Sequence, residues 1–144
     1  MALINRSSSS TATGMRAVAR RRDGYRHDIE VRGHSVTADE PPEQGGHDEG
    51  PSPQELLSAA LASCTAVTME MYAKRKGWNV DGLEVDCRYS PAERGCPTRF
   101  ELVMKMPAHL SEEQVERLQV IAAKCPVHRT LEGEVAFDER VELT

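Results

Sequence analysis

Two cysteines in this sequence stand where a thiol could react. Cys64 lies inside the apolar run from Leu56 to Val67, and Cys125 opens the segment Cys125-Pro126-Val127-His128. A thiolate that attacks a peroxide becomes a sulfenic acid, and a second, resolving cysteine condenses with it to a disulfide. Such a pair must meet in space, so a separation of 61 positions in sequence is no obstacle. Cys64 also admits a bland reading. At offsets of three, four and seven it shares a helix face with Leu57, Ala60, Leu61, Val67, Thr68 and Met71, and an apolar surround raises a thiol pKa and keeps it inert.

Cys125 is the better activated of the two by position. The residue before a proline avoids the α region, so a preceding helix ends before Pro126. Pro126 can then start a new helix at its first position with Cys125 as N-cap. A thiol there meets free N–H groups and the positive end of the dipole, which lower its pKa; a plain buried turn cysteine is the other reading. His128 could donate to a thiol or be an ordinary side chain. Cys87 alternates with Val85 and Tyr89 and reads as a packed strand thiol, while Cys96 sits in a turn with no implied partner. There is no CxxC, and Cys125 with His128 offers a metal two ligands at most, so neither a metal nor another cofactor is expected.

The elements that must position these thiols are legible from period and punctuation. Three short alternating segments between Gly14 and Ala38, divided at Asp23-Gly24 and Gly33, read as three strands joined by two hairpin turns. Residues 39–53 form a loop, expected to be mobile. Pro53 to Lys76 reads as one long helix, with Glu55 in its first turn, Lys74, Arg75 and Lys76 in its last, and Gly77 as its stop. It is apolar on nearly every side, so one small sheet cannot cover it and a second layer or a second subunit is expected. Leu83 to Tyr89 and Phe100 to Met106 read as strands. Ser111-Glu-Glu-Gln114 is a capping box that opens a helix, and Val135 to Leu143 alternates as a terminal strand. The order is βββ-α-ββ-α-β, an α+β chain with two main helices on an antiparallel sheet.

Composition bounds the rest. The 144 residues suit one domain, 14–144, after a Ser/Thr-rich leader, 1–13, expected to be disordered. A net charge of −5 gives a nucleic-acid role no electrostatic support. No stretch approaches the roughly 18 apolar residues of a membrane span, and residues 1–13 lack the apolar core of a secretory signal. A cytoplasmic location is therefore expected, where reactive cysteines are functional rather than structural.

The segments Pro51-Ser-Pro-Gln-Glu-Leu-Leu-Ser-Ala-Ala-Leu-Ala-Ser-Cys64, Tyr72-Ala-Lys-Arg-Lys-Gly77 and Cys125-Pro126-Val127-His128-Arg129-Thr-Leu131 resemble the OsmC/Ohr family of bacterial organic-hydroperoxide reductases. The resemblance covers about residues 15–143. It implies an OsmC-like fold in an intertwined homodimer, with active sites at the subunit interface. It also implies reduction of organic hydroperoxides, sometimes hydrogen peroxide, in oxidative-stress defence. Cys64 matches the peroxidatic cysteine and Cys125 the resolving one, with a small dithiol or a lipoyl group as reductant. Well-studied members carry a glutamate ten residues before the first cysteine and an arginine that pairs with it. Here Gln54 holds that place, Glu55 stands nine before Cys64, and residues 33–54 contain no Arg or Lys. Arg32 is the first candidate for the activating cation, then Arg26 and Arg129, with Glu55 as the acceptor that would orient it. A straight helix puts Glu55 and Cys64 on opposite faces, about 13 Å apart along the axis. The rival class is a non-catalytic dimer of the same fold that binds a small apolar or thiol ligand. A hydrolase using Cys64 with His128 lacks a third, orienting residue.

Overall fold

The computed structural model describes residues 14–144. The expected leader, 1–13, lies outside them. Three antiparallel strands come first, β1 (Val18–Arg21), β2 (His27–Val31) and β3 (His34–Ala38), in the spatial order β1-β2-β3. The β2–β3 turn has two residues, because Val31 pairs with His34. Both of its residues, Arg32 at φ 49° and Gly33 at φ 78°, take positive φ, which a tight hairpin of matching twist requires. After a loop come α1 (Pro53–Lys76), the hairpin β4 (Glu84–Ser90) and β5 (Arg99–Lys105), α2 (Glu112–Ala122) and α3 (Pro126–Glu132).

The strands form two separate antiparallel sheets rather than the single sheet expected. On the β4–β5 hairpin alternate residues turn inward, with Val85 opposite Met104, Cys87 opposite Leu102 and Tyr89 opposite Phe100. The last pair stacks with ring centroids 4.7 Å apart. This face packs on α1, and the Ser58 hydroxyl donates to the Cys87 carbonyl at 3.0 Å to tie the two together. The core lies where α1 and α2 meet: Met69, Ala73 and Leu118 are fully buried, joined by Tyr72 and Ile121. The sheet β1–β3 packs mainly within itself, not on these helices.

Helix α1 starts and stops on strong local signals. The Ser52 hydroxyl accepts from the Glu55 N–H, and the Glu55 carboxylate accepts from the Ser52 N–H, a reciprocal capping box. Gly77 ends the helix in the left-handed region at φ 72°. The expectation that no stretch is apolar enough for a membrane span needs correction. Among the described residues α1 is long and apolar enough by length and composition, because its Ser, Thr and Cys residues interrupt the run without lowering its average much. Only 28% of its most apolar 18-residue window is buried. Its uncovered side carries Ala60, Ser63, Val67 and Met71 at helical spacing, with Val67 40% and Met71 64% exposed.

The loop 39–52 is tied down, contrary to its polar composition. The buried Asp39 carboxylate accepts from the N–H groups of Glu40 at 2.7 Å and Glu49 at 3.1 Å, and its own N–H donates to the Pro51 carbonyl. Burial pushes this carboxyl up, but the N–H donors of Glu49, Glu40 and His47 outweigh it and hold the group below its ordinary pKa. A 3-10 turn, Pro42–Gln44, fills the middle.

The terminal strand expected over Val135–Leu143 does not form. Its alternation is real, but it pairs with no strand among the described residues, and a strand without a partner has no ladder to join. Val135, Phe137, Val141 and Leu143 are left between 54% and 94% exposed.

Candidate active site

Cys64 sits near the middle of α1, on the side that meets α3. Cys125 is the N-cap residue of α3, with Pro126 at the first helical position, as the Cys-Pro spacing predicts. The packing of α3 on α1 makes the two thiols neighbours that perturb one another's ionisation. Both are free thiols, Cys125 with no exposed surface and Cys64 half-buried.

The pair divides its charge unequally. Burial, first, and then the neighbouring Cys125 thiol push Cys64 above the ordinary thiol pKa; the Val127 N–H pulls the other way and loses. Burial also pushes Cys125 up, but the neighbouring Cys64 thiol, first, and then the His128 N–H outweigh it and bring it below the ordinary value. Cys125 is thus the first of the pair to ionise, and Cys64 can serve as its hydrogen-bond donor. Two threonines frame the sulfurs. The Thr65 hydroxyl, 1% exposed, lies against Cys125 and donates its one hydrogen to the Leu61 carbonyl at 2.8 Å. The Thr68 hydroxyl, beside Cys64, donates to the Cys64 carbonyl at 2.7 Å. Each hydroxyl adds a smaller pull that lowers the pKa of the thiol beside it.

The remaining candidates are not brought to the thiols. Glu55 is the capping residue of α1, and the Ser52 N–H and hydroxyl hold its carboxyl below the ordinary range. It lines an open cleft of about 430 Å³ between α1 and β4 with Ser58, Cys87 and Tyr89, which contains neither Cys64 nor Cys125. Arg32 stands exposed at the tip of the β2–β3 hairpin, beside Met15 and Arg16. Arg26 binds Glu49 at 3.0 Å and Asp28 at 3.7 Å, fastening the β1–β2 turn to the loop before α1. Its guanidinium is raised, first by the hydrogen bond to Glu49. The His128 ring is engaged by Glu132 at 2.7 Å, one turn along α3, so its bond to the thiol pair runs through its backbone and not through its imidazole. Sequence reasoning passed over Ser52 and Thr65. The spacing Ser52-x-x-Glu55 was a signal for the first; nothing in the sequence marks the second.

The arrangement can hold a dithiol and close it to a disulfide. Among the described residues no cation stands among the main influences on Cys64, which are burial, Cys125, a backbone N–H and a hydroxyl.

The OsmC-like protein family model matches residues 46–140, a span containing α1, both thiols and all that lies between them. No curated protein matches the chain. Among solved structures, an OsmC-like protein from Mycoplasma pneumoniae superposes with a TM-score of 0.71 at 19% identity, over 85% of this chain and 89% of its own. The organic hydroperoxide resistance protein OhrB of Bacillus subtilis gives 0.58 at 21% identity, over 83% and 91%. An organic hydroperoxide resistance protein OsmC from Legionella pneumophila gives 0.63 at 18%, over 85% and 91%. At these identities the likeness is one of fold. The match of the family model over most of the chain, together with that shared fold, makes this protein a member of the OsmC-like family.

Proposed function

We propose that the chain is a thiol-dependent peroxidase that reduces organic hydroperoxides in the cytoplasm. The observation that carries the reading is that the Cys64 and Cys125 thiols are neighbours across the α1–α3 contact, with Cys125 sealed from solvent. In this reading the Cys64 thiolate attacks the distal oxygen of ROOH. The O–O bond breaks, ROH leaves with a proton, and Cys64 becomes a sulfenic acid. Cys125 attacks that sulfur, water leaves, and a disulfide forms. A small dithiol or a lipoyl group then reduces the disulfide by exchange and is itself oxidised to a cyclic disulfide.

The half-buried Cys64 needs a cation to ionise at neutral pH, because burial alone holds it neutral. We place that cation on a second copy of the chain. The uncovered face of α1 and the loosely attached sheet β1–β3 both suit a homodimer, in which the Arg32 hairpin of one subunit can reach its partner.

The same raised Cys64 favours a second reading, a dimer that binds a small apolar or thiol ligand and never cycles. One experiment separates them. The protein is mixed with cumene hydroperoxide and dithiothreitol, and peroxide loss is followed against Cys64→Ser. Turnover that vanishes in the variant supports the peroxidase. Equal, background-level loss in both removes it and leaves the binding reading.

A further inference from the structure

Cys64 and Cys125 differ in one respect that decides how a disulfide between them opens. Cys125 has no exposed surface, whereas Cys64 keeps part of its surface in solvent. The cover on Cys125 comes from three elements. Its N–H donates to the Ala122 carbonyl at 3.2 Å and its carbonyl accepts from the Arg129 N–H at 3.0 Å, which pins it at the corner between α2 and α3. Ile121 and Ala122 are buried at that corner, and the buried Thr65 of α1 lies against the sulfur. Cys64 stands instead at the border of two faces of α1. Leu61 and Thr65, both buried, lie to one side of it, and the exposed Ala60, Ser63 and Val67 lie to the other.

Thiol–disulfide exchange is a displacement at sulfur, and its rate depends on which sulfur is attacked and on access to it. The incoming, attacked and leaving sulfurs lie close to one line, so the nucleophile arrives on the side of the attacked sulfur that faces away from its partner. For Cys125 that side is the closed corner of α1, α2 and α3. For Cys64 it is the side turned away from α3, where α1 is uncovered. The sulfur that leaves carries the negative charge, and a thiol of lower pKa leaves faster. Cys125, held below the ordinary value while Cys64 is pushed above it, suits that part.

We propose that the reducing dithiol attacks Cys64 and not Cys125, so that the mixed disulfide is carried on Cys64 and Cys125 is the leaving thiol. The inference rests on the peroxidase reading, whose cycle it closes. One thiolate of the dithiol bonds to the Cys64 sulfur, the Cys64–Cys125 bond breaks, and its electron pair goes to Cys125, which takes up a proton. The second thiolate of the dithiol then attacks the first, and Cys64 leaves as a thiolate. The dithiol gives up two electrons and two protons and becomes a cyclic disulfide. Between the two steps Cys125 stands beside the mixed disulfide and can expel the reductant again. Ring closure competes with that intramolecular return, whereas a monothiol must wait for a second molecule.

The full-length protein is oxidised with diamide, which links the thiols without any hydroperoxide, and is then given excess mercaptoethanol. Acid stops the exchange, and peptic peptides are weighed at low pH. The adduct is expected on Cys64, with Cys125 free. Where the return is too fast to leave an adduct, single-cysteine variants carry the test. Dithiodipyridine is expected to label Cys64 in Cys125→Ser at least about tenfold faster than Cys125 in Cys64→Ser, access outweighing thiolate fraction. The two rates should converge in denaturant. Circular dichroism checks each fold, and the alanine variants replace any serine variant that does not fold. An adduct on Cys125, adducts on both cysteines alike, or equal labelling rates in the folded variants overturn this proposal alone. A parent in which diamide forms no Cys64–Cys125 disulfide overturns it together with the peroxidase reading.

Discussion

The thiols of Cys125, which has no exposed surface, and Cys64 are neighbours across the contact between α3 and α1, and they shift one another's ionisation in opposite directions. Brief treatment with an organic hydroperoxide is therefore expected to give a Cys64–Cys125 disulfide in peptide mass spectra, with Cys87 and Cys96 still alkylatable. Cys125→Ser should leave one turnover and a sulfenic acid on Cys64 that a dimedone-type reagent traps. A Cys64 that stays fully alkylatable under excess oxidant ends the peroxidase reading.

The activating cation has a test of its own. Alkylation rates of Cys64 are measured across pH in Arg32→Met, Arg26→Met and Arg129→Met. Arg26 is already committed to Glu49 and Asp28, so its loss should show mainly in the loop before α1. Arg32 has no such partner among the described residues, and its replacement is expected to move the Cys64 profile to higher pH. Three unmoved profiles would sink the idea of an arginine from the partner.

The dimer can be probed on α1. Val67 and Met71 are already exposed in the single chain, so replacing them with Glu removes little of its own packing. Val67→Glu with Met71→Glu is expected to shift sedimentation toward monomer at micromolar concentration and to leave helix content nearly unchanged. A parent protein that is a folded monomer on the same dilution series rules the dimer out.

The α1 cap makes a pH-dependent prediction. Ser52→Ala should cost about 1 kcal/mol, the usual worth of an N-cap hydroxyl. Glu55 behaves differently, because Ser52 holds its carboxyl below the ordinary range. A depressed carboxyl pKa adds stability above the unfolded value and loses it as pH falls through the folded one. Glu55→Gln should therefore be less stable than the parent at neutral pH, with the two melting curves merging in acid. A gap that persists in acid would assign Glu55 a role beyond the cap.

The core at the α1–α2 contact is sensitive to volume. Leu118 is fully buried against Met69 and Tyr72, so Leu118→Ala is expected to cost about 2–5 kcal/mol by chemical denaturation. A loss below about 1 kcal/mol would mean that the α1–α2 contact is looser than described.

Those features that depend on neighbours in sequence were legible. Proline, acid, base and glycine bounded α1 at Pro53 and Lys76 without error, and Cys125-Pro126 placed the thiol at the head of α3. Features that depend on distant partners were not. Val135–Leu143 alternates like a strand, but whether a strand forms rests on an edge elsewhere, which a pattern of period two does not report. The loop at 39–52 looked unstructured because its organiser is a single carboxylate, Asp39, whose burial no local pattern announces. Arg32 and Glu55 were drawn toward Cys64 by resemblance. In the single chain a hairpin tip holds one and a helix cap the other.

The order of the elements along the chain has a consequence for synthesis. The elements that pack most closely on α1 among the described residues, β4, α2 and α3, are all encoded after it. A ribosome that has just released Lys76 therefore presents a naked 24-residue apolar helix, with the length and composition of a membrane segment and none of its cover. Until β4 and then α2 with Leu118 and Ile121 emerge, that surface is at best partly shielded, so this interval is when a chaperone or a targeting factor would compete for it.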